Sequence, residues 1–260
     1  MRKGDTLFSA ILLGSLVLIV VDGSTGGAVA TWLNANLYPQ ALKLGTILGW
    51  VARWTWPLLA LPLVFGLAGR FVRLPARLNL AQHRLVELIE SLTLQIGGAA
   101  RWFALGLVLV TVTIVIQRYV FGYASTKLQE SVIYMHALLF LLASASTLLA
   151  DGHVRVDIFY AKASERGKAW TELIGIYLAL MPMCVLILWT STGYIDSSWR
   201  ILEQSRESDG LPLVFLLKTA IPAFAVLMIA QGFAGAIRAA LIISGETAPP
   251  RPITEIEAEI

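Results

Sequence analysis

Apolar residues run in six long blocks along this chain, separated by shorter stretches that carry most of the charge. The blocks are Leu7–Val21, about Gly45–Gly69, Trp102 to about Val120, Ser131–Ala150, Leu173–Ile195 and about Leu211–Ile237. The fourth holds no Asp, Glu, Lys or Arg, and as a helix it spans about 30 Å, one hydrocarbon core. The blocks are continuous rather than alternating with period two, which excludes a transmembrane β-barrel. The pattern predicts an all-α integral membrane protein of about six transmembrane helices.

Three further patterns sit around the blocks. Met1-Arg2-Lys3, the first apolar run and Ala28-Val29-Ala30 also fit a cleavable signal peptide; an uncleaved helix is expected. Between the second and third blocks, Ala81, Leu85, Leu88, Leu92 and Ile96 recur at three- and four-residue spacing, with His83, Arg84, Glu87, Glu90 and Ser91 on the other side. That periodicity predicts an amphipathic helix over residues 80–100 lying along the membrane interface, or else an early extension of the third span. The stretch from Gly245 has Pro249, Pro250, Pro252 and four glutamates and reads as a disordered tail.

Composition sharpens the class. Apolar residues make up 57% of the 260 and charged residues 14%, where a soluble domain carries roughly 25% charged. Mean hydropathy is +0.73 and the pI about 9.1. The net charge of +3 does not point to nucleic acid, because no basic cluster is interleaved with exposed aromatics. One cysteine, Cys184, excludes an intrachain disulfide and a multi-thiolate metal site.

Basic residues orient the chain. The N-terminus, the connections Arg70–Arg101 and Asp151–Glu172, and the tail from Arg238 hold thirteen Lys and Arg. The alternate set, Asp22–Leu44, Gln117–Glu130 and Asp196–Gly210, holds five. The excess predicts an inner-membrane protein with both termini in the cytoplasm.

Charges within or beside the spans are candidates for function. Arg53 stands among Trp50, Trp54 and Trp56, which reads as an interfacial anchor. Lys218 lies two turns into the sixth block, where snorkelling competes with an ion pathway. Glu130 is a candidate partner for Lys218 or Arg118. His136 has no second membrane histidine with which to ligate haem. Asp151, His153 and Asp157 could be drawn as a metal site, but Arg155 sits among them, and a structured turn or subunit contact is the simpler reading. No phosphate loop and no nucleophile–base set is present. Pro57, Pro62, Pro182 and Pro222 could kink three spans as in an autonomous transporter or channel, yet no acid stands at mid-depth to couple a cation. No catalytic residue, metal site or cofactor is expected in this chain.

The last two-thirds also carries a resemblance. Arg118-Tyr119-Val120-Phe121-Gly122, Gln129-Glu130, the run from Asp151 to Tyr160, Glu203 and Ser205, Gly210-Leu211-Pro212, Lys218, Ile221-Pro222 and Gln231-Gly232 follow in an order and spacing similar to the small membrane subunit of tripartite ATP-independent periplasmic (TRAP) transporters. His136 in Tyr134-Met135-His136-Ala137, with the run from His153 to Tyr160, resembles most the branch labelled mannitol/chloroaromatic compound transport. The resemblance implies a non-enzymatic scaffold subunit beside a large transport subunit, which would hold substrate and sodium, with a periplasmic substrate-binding protein as the third component and organic acid anions as cargo. It divides the chain into a two-helix extension (1–79), the interfacial helix (80–100), a four-helix domain (101–238) and the tail (239–260). It also assigns Glu203, Ser205, Arg206 and Glu207 to the periplasmic side near the binding-protein dock. Asp151, His153, Arg155, Asp157, Arg118, Glu130 and Lys218 become turn or subunit contacts, and no residue is expected to bind substrate.

Overall fold

The computed structural model describes residues 4–69, 71, 75–152 and 160–252. These are almost entirely helical, with no strand among them. In chain order the elements are α1 (Asp5–Ser24), α2 (Ala28–Thr55), a 3-10 turn (Trp56–Ala60), α3 (Leu61–Ala68), α4 (Ala76–Ala100), α5 (Trp102–Val120), α6 (Thr126–Leu149), α7 (Glu165–Gly175), a π-helical turn (Ile176–Leu180), α8 (Met181–Arg200) and α9 (Val214–Ser244). Six helical stretches are long and apolar enough to cross a membrane, one for each apolar block.

Two boundaries differ from the sequence reading. The connection expected over Asp22–Leu44 shrinks to a few residues, since α2 already begins at Ala28. Polar side chains in a helix bond to their own backbone, as Asn36 does to the Trp32 carbonyl at 2.9 Å. Such a segment therefore needs no loop, and apolarity alone misplaces its start. That long helix breaks where Pro57 and Pro62 stand as the second residues of the 3-10 turn and of α3. Proline lacks the amide needed to continue the ladder but fits a helix's first turn.

The second difference concerns α4. It starts at Ala76, earlier than the expected residue 80, and is separated from α5 by Arg101 alone, the two making one helical stretch from Arg77 to Val120 that contains an apolar window long enough to cross a membrane. Its buried stripe is Gln82, Val86, Glu90 and Thr93, while Leu85, Leu88 and Leu92 stay exposed. Leu85, Leu88 and Leu92 share the exposed side with Arg84 and Glu87, while the Glu90 carboxylate turns inward, where it has a cation to meet.

Three helix ends close the same way. Gly152 N–H donates to the Thr147 carbonyl and Asp151 N–H to Leu148; Glu203 and Leu202 repeat the pattern on Ser198 and Trp199; Glu246 and Gly245 repeat it on Leu241 and Ile242. Each is a Schellman closure that needs a left-handed residue at its centre. Gly245 fills it without cost, whereas Asp151 (φ 53°) and Leu202 (φ 45°) carry side chains there.

Contacts group the chain into two compact units. One comprises Met1–Arg53, Gln95–Ala143 and Leu188–Ala223; the other comprises Trp54–Leu94, Ser144–Ile187 and Phe224–Ile260. The second holds the apolar core: Ala236, Ala239 and Ile243 of α9 against Ala169 and Leu173 of α7, and Ala234, Ile237 and Leu241 against Val86 of α4. Small residues on α9 let backbones approach, which is how helices associate where lipid removes the hydrophobic drive.

Candidate functional site

The loop between α8 and α9 is held at several points by hydrogen bonds and an ion pair. Glu130, in the second turn of α6, accepts from the Ser205 hydroxyl with one oxygen and from the Leu211 amide at 2.6 Å with the other. Ser205 and Leu211 are themselves joined, Ser205 N–H to the Leu211 carbonyl at 3.2 Å, and the Ser205 hydroxyl accepts from Glu207 N–H at 3.1 Å. A Cβ on Gly210 would lie 2.2 Å from Ser205 Oγ and 2.9 Å from Glu130 Oε1, so this fold of the loop needs glycine there.

At the other end of the loop, Lys218 donates from Nζ to Glu203 Oε2 at 2.5 Å and lies 4.0 Å from the centre of the Tyr194 ring. Its side chain is 15% exposed. The Lys218 ammonium holds the Glu203 carboxyl below the usual carboxylate range. Trp199 donates to Thr219 Oγ1 at 2.8 Å and meets Phe215 edge-on at 4.9 Å. Tyr38 of α2 donates to Asp196 at 3.3 Å. The exposed Lys127–Asp209 pair at 2.6 Å adds little by comparison.

This geometry sorts the sequence candidates. Glu203 and Ser205, expected near a docking surface, are half-buried and bonded to Lys218 and Glu130. Arg206 and Glu207 are exposed. Lys218 pairs with Glu203 rather than Glu130, and Arg118 is exposed on α5 with no partner among the described residues. Sequence distance gave no basis for choosing among these partners, because each residue lies on a different element. Trp50, Trp54 and Trp56, expected as interfacial anchors, are each about two-thirds exposed, and Arg53 is exposed too.

A second polar cluster lies in the other unit. Asp151 ends α6 and accepts from Arg251. His153, Arg155 and Asp157 lie outside the described residues. Tyr160 donates to Glu172 at 2.5 Å. Arg238, 8% exposed, clamps both oxygens of the 2%-exposed Glu90 at 2.6 and 2.7 Å and also donates to the Pro249 and Pro250 carbonyls. Residues expected as the start of a disordered tail therefore continue α9 to Ser244, and 249–251 pack on Arg238 and Asp151. A cavity of about 420 Å³ opens beside these pairs, with Ile176 and Leu180 on one wall and Gly232 and Gly235 on another.

The buried Glu90–Arg238 pair escaped the sequence reading, which had Glu90 on a solvated face. So did the partnership of Asp5 with Arg101 and Trp102. The one available signal was a charge at the edge of an apolar block, which does not say which opposite charge it meets. Among the described residues no cluster of His, Cys, Asp or Glu could hold a metal ion.

Internal ion pairs, stapled loops and glycine-mediated helix contacts define a multi-span helical membrane protein whose polar groups hold its own elements together. The chain's residues 107–241 match the family model described as tripartite ATP-independent periplasmic transporters, DctQ component. That is more than half of the chain, and the protein belongs to this family. It is thus a small component of a TRAP transporter, a transport family rather than an enzyme family. No curated protein and no solved structure matches the chain.

Proposed function

We propose that this chain is the scaffold subunit of a sodium-coupled, binding-protein-dependent importer of organic acid anions in a bacterial inner membrane. It packs against a large subunit that carries the substrate and sodium sites, and both termini lie in the cytoplasm, as the basic residues of its connections favour. The observation that carries the reading is the α8–α9 loop: its Glu203 pairs with Lys218 of α9 and its Ser205 is held by Glu130 of α6, leaving a preformed surface with Arg206 and Glu207 outward. A rigid, charged rim suits transient docking of a soluble protein, because it steers encounter without ordering cost. The family model carries no branch, so the mannitol/chloroaromatic resemblance at His136 adds nothing to the substrate class.

A mild-detergent pull-down of the tagged chain from its native membranes tests the subunit reading. A larger polytopic membrane protein at one-to-one is expected. Recovery of the chain alone, together with solute movement in liposomes containing only this chain, would overturn it. For the dock, reversing Arg206 and Glu207 (R206E/E207R) should slow uptake by about tenfold with subunit abundance unchanged, as rim charges act on association rate. Normal uptake by that variant would remove the docking role.

A further inference from the structure

The first helix, α1, is joined to the rest of its unit at its N-terminal end. Asp5 accepts from Arg101 and, at 3.2 Å, from the Trp102 indole; Phe8 stacks on Trp102 at 5.4 Å; and Gly4, at φ 98°, lies so close to Gly98 and Ala99 that a Cβ would meet backbone at 2.5 Å. Beyond this dock α1 leaves a cleft of about 480 Å³ that starts at Leu7 and ends at Leu16. Phe8, Leu12 and Ser15 face Ala99, Phe103 and Leu142 across it. Leu12 and Leu16 remain 48% and 51% exposed although they line it, so the chain does not fill the space.

We propose that this cleft seats one acyl chain of a bilayer phospholipid, with the headgroup phosphate at Arg101. Three observations choose this occupant. Leu7 to Leu16 covers about 14 Å of helix, half of a hydrocarbon core of about 30 Å, which is one leaflet's depth. The lining side chains are apolar apart from Ser15, whose hydroxyl bonds to the Ile11 carbonyl at 2.8 Å, so water would find few partners. At the docked end the Arg101 side chain is 39% exposed and spends one amino group on Asp5; its other N–H groups have no partner among the described residues. A planar guanidinium with unspent donors, beside an interfacial tryptophan, matches a phosphate at the membrane surface. The extension then acts as a lipid clamp on the third span, and this holds whether or not the chain serves a transporter.

Native mass spectrometry tests it on the full chain, purified in mild detergent from native membranes with whatever subunits accompany it. The wild type should retain one phospholipid per chain through delipidation. S15F fills the cleft and should lower occupancy about tenfold, and R101Q should do likewise by removing a charge-assisted contact. L13F, on an exposed position outside the cleft, should change nothing. A wild type without bound lipid, or equal retention by S15F and L13F, would overturn the site. A photo-crosslinker at Leu12 that labels a protein chain rather than lipid would overturn it in favour of a protein occupant.

Discussion

Glu203, expected near a docking surface, also braces the fold. It follows Leu202, whose left-handed backbone closes α8, and its carboxylate reaches Lys218 at 2.5 Å. A lysine in an apolar helix is costly unless its charge is met, and Glu203 with the Tyr194 ring meets it. Because the folded carboxyl titrates below its ordinary 4.5, the pair's contribution is fully present above that pH. It is lost as the pH falls through the lower folded value. A spin label at Ser208 (S208C) should therefore stay immobile from neutral pH to 4.5 and loosen below it. In E203Q it should already be looser at neutral pH and keep only the acid dependence that Glu130 contributes, since that carboxylate also holds the loop through its bonds to Ser205 and the Leu211 amide. Equal acid profiles in the two proteins would remove Glu203 as the brace.

At the scale of elements, the helices meet through residues chosen for size. Gly232 of α9 faces Leu180 in the π-helical turn, where a Cβ would come within 2.4 Å of the leucine's end. A π turn widens the helix locally and re-aims the residues on either side, here Ile176 and Leu180 against α9. G232I should overpack this contact and cost about 1–3 kcal/mol. Thermal unfolding in detergent would show it as a lowered midpoint, whereas G193I, on α8 with nothing within 4 Å, should leave the midpoint alone. α7 shows ordinary element chemistry beside this: the Ser164 hydroxyl caps its first turn by accepting from Gly167 N–H at 3.2 Å.

At the scale of the molecule, the Glu90–Arg238 pair joins elements that lie 148 residues apart. The guanidinium has carboxylate on one side and two tail carbonyls on the other, so its burial is compensated. E90Q should cost about 3–5 kcal/mol by stranding a buried cation. The double variant E90L/R238M should recover much of that loss, since a packed apolar pair needs no compensation. Unfolding of both variants in the same detergent decides it; a double variant no better than E90Q would mean that the pair's worth lies in its geometry. Family membership places residues 107–241 in a transporter component, and the residues before them add two further helical stretches long and apolar enough to cross a membrane.

The number and type of spans were legible because membrane solvent imposes one simple rule: a helix that crosses it must be apolar for about 20 residues. The six blocks, the helical period over residues 80–100 and the proline break in the second span all follow from that rule and from local backbone chemistry. The motifs around Glu130, Gly210 and Lys218 were legible as a set, but their partners were not. Glu130 could have met Lys218 or Arg118, and only the packing of α6 against the α8–α9 loop gave it Ser205 and the Leu211 amide. The face of α4 was likewise undetermined, since a leucine stripe points inward in water and outward in lipid. Glu90 turned inward because Arg238 was there to receive it. Local periodicity fixes what each segment is; which charges neutralise one another depends on which segments become neighbours, and that belongs to the tertiary structure alone.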